Sequence, residues 1–146
     1  MKIETKVTEI THDDLVILLS TASEGSNWLV FSYKKEDYAP LKSDGDYFED
    51  KLAKILLAGK SIEVNDYYAE GEHYGHLPFK LLEDDNCVCY DLTLKDIEKG
   101  LEKALSSNTY IADYVRHIYQ DNGCNLDQPE AEAIMQWIVF GEEIYG

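Results

Sequence analysis

Four residues of this chain have the chemistry of a metal site. His73 and His76 stand at His-x-x-His spacing, and Cys87 and Cys89 at Cys-x-Cys. Zn²⁺ takes four nitrogen and sulfur ligands in a tetrahedron. Cys-x-Cys on a strand points both thiols to one face, so joint ligation is geometrically open. Structural zinc motifs, however, separate their cysteines by roughly two to four residues. Free cysteine is also most often a small buried hydrophobe. The expectation is no metal and no cofactor, with this set as the alternative.

Catalysis by a nucleophile needs Ser or Cys beside a base that a third group orients. His12, His73, His76 and His117 sit in no such motif, and no G-x-S-x-G, P-loop or G-x-G-x-x-G occurs. Paired carboxylates such as Asp84-Asp85 and Glu142-Glu143 read as solvated surface. The expectation is a non-enzymatic protein. The eleven tyrosines are more distinctive. Tyrosine offers rigid amphipathic contact area and is enriched at binding hot spots. Tyr67, Tyr68, His73, Tyr74 and His76 cluster in the chain and make a candidate ligand pocket.

Charge narrows the class further. Twenty-nine Asp and Glu oppose 13 Lys and Arg, a formal net charge of -16 over 146 residues. Such a field repels nucleic acid and anionic lipid and favours basic surfaces. Residues 61–91 hold eight acids and one base, and residues 104–146 hold seven acids and one base. Should these regions adjoin, they form a negative face. Asp66, Glu70, Glu72, Asp84, Asp85, Asp121, Glu130, Glu132, Glu142 and Glu143 are its candidate partner-binding residues. Three cysteines are too few for a disulfide framework, and no apolar run approaches a membrane span. A cytoplasmic protein that binds neither membrane nor nucleic acid directly is expected.

The elements that must position these groups read as a single α+β domain over residues 1–146. About five helices are expected on a small, mostly antiparallel sheet. Loose alternation predicts a strand over 1–10. Thr11 and Asp14 predict a capped helix start, with Leu15, Leu18, Leu19 and Ala22 facing in. A strand is predicted over 28–33, and a loop over 34–46. The second helix is predicted over 47–58, with Phe48, Leu52, Ile55 and Leu56 on one face. A half-buried strand follows over 61–66. Residues 67–80 read as a loop insertion, though Phe79 already opens a hairpin of 79–82 with 87–92. Thr93 is expected to cap a third helix. A fourth is predicted over 110–120, and a fifth over 130–140, opened by Asp127 and Pro129.

Two stretches carry a family resemblance. Thr11 to Leu29, THDDLVILLSTASEGSNWL, has an acidic helix start, a Leu-rich run, Thr-Ala, an acidic turn and Trp. Leu126 to Gly146, LDQPEAEAIMQWIVFGEEIYG, runs from an acidic start through an Ala-rich helix to Phe-Gly-Glu and a terminal Tyr-Gly. In these the chain resembles uncharacterised small acidic proteins of bacteriophages and integrative mobile elements of gut Firmicutes. The resemblance implies a mobile-element origin and the bacterial host cytoplasm, and supplies no site. Together these features suggest an accessory protein that binds a basic host or element protein. It would act as a DNA-mimic inhibitor of a nucleic-acid-binding or defence protein. The alternative is a protein that sequesters a small molecule or nucleotide in the Tyr/His pocket.

Overall fold

The computed structural model describes residues 9–82 and 86–145. The expected strand over 1–10 and the acids Asp84 and Asp85 lie outside the described residues, apart from Glu9 and Ile10. The fold is α+β, with helices packed on a four-stranded antiparallel sheet.

Local chemistry sets most boundaries. Helix α1 (His12–Ser23) starts at a reciprocal capping box, Thr11 with Asp14. Helix α4 (Leu94–Leu105) starts at Thr93 with Asp96, and α6 (Gln128–Phe140) at Asp127 with Glu130. In each box two backbone N–H groups that the helix leaves unpaired find a side-chain oxygen. Helices α3 (Phe48–Leu57) and α5 (Tyr110–Tyr119) complete the long set. Strands β1 (Leu29–Ser32), β2 (Ile62–Asp66), β3 (Phe79–Leu82) and β4 (Cys87–Leu92) pair in the order β1-β2-β4-β3.

Two expectations need correcting. Residues 34–46 are not all loop: Lys35–Tyr38 form one α-turn, α2, and Ala39–Leu41 a 3₁₀ turn. Tertiary contacts hold them. Tyr38 is buried, and its hydroxyl donates to Asp46 at 2.6 Å, where Lys54 also binds at 2.7 Å. Phe48, expected inside, is exposed and packs against Tyr33.

The sheet has two unlike faces. Leu29, Phe31, Ile62, Val64, Val88, Tyr90 and Leu92 alternate onto the face that shares the helical core. The opposite face carries a polar ladder. Asn65 donates to the Val30 carbonyl and to Ser32, while Ser32, Cys89 and Lys80 all reach Glu63. On the helical side α6 is central, packing against α1, α4 and α5. Among the described residues no helix is long and apolar enough to cross a membrane.

Candidate functional site

The register of β2 places one carboxylate on the core side. Asp66 follows Ile62 and Val64 at period two and pairs with Leu29 and Val88. It is fully buried, so it is no exterior contact. Its carboxylate accepts the Tyr68 backbone N–H at 2.9 Å and the Tyr145 hydroxyl at 2.6 Å. Burial raises its pKa, and these two bonds only partly oppose that. Tyr145 is raised too, by burial and then by Asp66.

A second anchor holds the same tail. Gly141 ends α6 in the left-handed conformation, φ 83°. The chain then turns back along α6, where buried Gln136 grips it. Gln136 Oε1 accepts from the Ile144 and Tyr145 amides at 2.7 and 2.8 Å, and its Nε2 donates to the Tyr145 carbonyl at 3.0 Å. The Tyr145 ring thereby lies against Trp28, Tyr68 and Phe140.

These anchors build one wall of an open cleft of about 610 Å³. Tyr110 and Tyr114, one turn apart on α5 and in ring contact, line it together with Tyr68, Tyr145 and Trp28. Gln128, Glu132 and Gln136 line it from one stripe of α6, and Glu143 lines it from the tail. Among the described residues no Lys, Arg or His lines it. Glu143 accepts the Tyr110 hydroxyl, which raises the Tyr110 pKa. Trp28 is 2 % exposed, and its indole N–H has no hydrogen-bond partner.

No family model, curated protein or solved structure matches the chain.

The structure divides the expected partner-binding set. Glu132 and Glu143 line the cleft. Glu142 is exposed beside it, and exposed Glu70 and Glu72 lie in the connection after β2. Tyr74 of that connection packs on Tyr145 and Phe140, so the two acidic regions adjoin at this end. Glu130 is engaged in the α6 capping box and with His117 at 3.1 Å. Asp121 is exposed and away from the cleft lining.

The Tyr/His cluster does not form one pocket. Tyr68 lines the cleft, Tyr74 packs behind it, and Tyr67 is exposed. His73 stacks on Phe79 at 3.8 Å, while His76 lines a separate groove with Lys99, Lys103 and Trp137. The four metal candidates are split likewise. Cys89 lies on the polar sheet face, whereas Phe79, which carries His73, occupies the core-side register. The Cys89 thiol is pushed up to about 12 by burial and by Glu63. Among the described residues no three His, Cys, Asp or Glu are placed to hold a metal. His12 pairs with Asp50 and His117 with Glu130, and among the described residues neither bonds a hydroxyl or thiol.

Asp66→Asn is expected to be at least as stable as the parent near neutral pH. A raised folded-state pKa means the folded chain holds this proton longer than the unfolded chain does. Its stabilising effect is complete below the unfolded value of 3.8 and is lost as pH rises through the folded value. The amide removes that loss and can still accept from Tyr68 and donate to the Tyr145 oxygen. Urea melts from about pH 4 to about pH 7 read the flattened profile. A deficit above about 1 kcal/mol at neutral pH would show that the negative charge itself is required.

Proposed function

We propose that this protein acts by binding, without catalysis, and that its partner is a basic protein. One observation carries the reading: two carboxylates and five aromatic rings line the same cleft, with no cation beside them among the described residues. Exposed Glu70, Glu72 and Glu142 extend the negative surface around it. Aromatic faces attract cations, and acidic clefts focus the field on them. The acid excess of the whole chain steers a basic surface toward this end. None of the three cysteines is in a disulfide among the described residues, which suits a reducing compartment such as a host cytoplasm. A mobile-element accessory role agrees with the resemblance at both ends of the chain.

Affinity capture from bacterial lysate tests this. The comparison is between the parent and a chain with Glu70, Glu72, Glu132, Glu142 and Glu143 all changed to Gln. Basic proteins are expected on the parent at low salt and not on the variant. They should leave at about 0.5 M salt, where the screening length falls to roughly 4 Å. Retention indifferent to both salt and substitution overturns the reading. Displacement of the captured protein by duplex DNA would place the contact at its nucleic-acid site, the DNA-mimic form of this proposal.

A further inference from the structure

We propose that the cleft receives a single guanidinium group, the side chain of an arginine on the partner protein. The inference rests on the basic-partner reading and adds the chemistry of the contact.

The argument is a count of what the lining still offers. Both polar ends of Gln136 are engaged with the tail backbone. The Gln128 amide donates to the Ala22 carbonyl and to Glu132. The Tyr110 hydroxyl donates to Glu143, and the Tyr145 hydroxyl to Asp66. The Trp28 indole N–H is shut off from solvent. Most of the strong donors are thus occupied or closed; among the described residues the Tyr68 and Tyr114 hydroxyls remain, and each can accept as well as donate. Acceptors remain: the free lone pairs of Glu132 and Glu143 and of the Tyr110 and Tyr145 oxygens. Asn27, also in the lining, is an amide that can offer both.

A site rich in acceptors and ring faces calls for a ligand rich in donors, flat and positive. Guanidinium has five N–H donors in a plane, stacks on aromatic rings and pairs with carboxylates through two parallel bonds. An ammonium offers three donors but no flat face to lay on tyrosine. A quaternary ammonium would use the rings but offers the two carboxylates no N–H to add to the bonds they already accept. The cavity, about 610 Å³, also admits the backbone that carries the side chain.

The test uses the full chain and four short acetylated, amidated glycine peptides. Their central residue is arginine, lysine, trimethyl-lysine or citrulline. Amide spectra at low salt, with the Trp28 indole and the Tyr68 and Tyr145 amides as reporters, read weak binding directly. The arginine peptide is expected to bind about ten-fold tighter than each of the others, about 1.4 kcal/mol. Glu132→Gln with Glu143→Gln should lower its affinity about ten-fold; both amides still accept from Gln128 and Tyr110, and a melt confirms the fold. Equal binding of lysine, preference for trimethyl-lysine, equal binding of citrulline, or indifference to the double substitution each overturns the inference. Free arginine binding as tightly as its peptide overturns the partner-protein source and marks a small-molecule site. If the arginine peptide fails while capture still depends on the exposed glutamates, the guanidinium falls and the basic partner stands. Peptide binding without capture gives the reverse.

Discussion

Gly100→Ala is expected to destabilise the fold by about 1–3 kcal/mol, although alanine is the better helix former by about 1 kcal/mol. Gly100 lies inside α4 where it crosses α6, and it is buried. A Cβ there would stand 2.6 Å from the Ile138 Cα and 2.7 Å from its Cγ1. The first of these is backbone, so no rotamer change removes the clash, and the two helices must part. Because α6 also packs on α1 and α5, the displacement spreads through the helical layer. For a chain of this length each kcal/mol lowers Tm by roughly 2–4 °C, which a thermal melt resolves. Ile138→Ala in the same chain removes Cγ1 and leaves the Cα, so rescue should be partial. Full rescue would show that a side chain, not a helix, was in the way.

Much of the fold is visible in the sequence because its signals are local. A cap and its partner are three residues apart, as in Thr11 with Asp14 and Thr93 with Asp96. The strands 79–82 and 87–92 pair close along the chain, with Leu82 opposite Cys87. What failed was set at longer range. Tyr38 and Asp46 hold residues 35–41 in helical turns by burial and hydrogen bonding that no window of that segment reveals. The cleft is harder still, since its walls come from the loop before β1, Tyr68 just after β2, α5, α6 and the tail. Clustering the tyrosines by sequence put Tyr67 to His76 in the candidate pocket and left Tyr110, Tyr114 and Tyr145, which lie near the C-terminal acids, out of it. Two local signals were nevertheless present. Tyr110 with Tyr114, and Gln128 with Glu132 and Gln136, repeat at helical spacing and so face one way. Asp66 carried a signal as well: it continues the inward alternation of Ile62 and Val64. A carboxylate in that register is interior, whatever the charge of its segment.

The two anchors of the tail act on different parts of it. Asp66 fixes the Tyr145 ring and Gln136 fixes the backbone beneath it. Together they decide whether the cleft has a second wall.

Gln136→Ala therefore has the larger expected consequence for the site. It removes three hydrogen bonds from a buried side chain and costs about 2–4 kcal/mol, taking each at about 1 kcal/mol with some penalty for the groups left unpaired. The Ile144 and Tyr145 amides regain water only if residues 142–145 lift from α6. Lifting uncovers Trp28, which lies 5.3 Å from the Tyr145 ring, centre to centre. In a Trp137→Phe background, Trp28 fluorescence should move to the red and become open to acrylamide. Tyr145→Phe is the graded comparison, since it loses the Asp66 bond alone and keeps all three to Gln136. It should cost about 1 kcal/mol and leave Trp28 covered. A Gln136→Ala chain within about 0.5 kcal/mol of the parent, with Trp28 still shielded, would mean the tail is held by ring packing alone. In that case Phe140 and Tyr74, which also touch the Tyr145 ring, would be what keeps the cleft in shape.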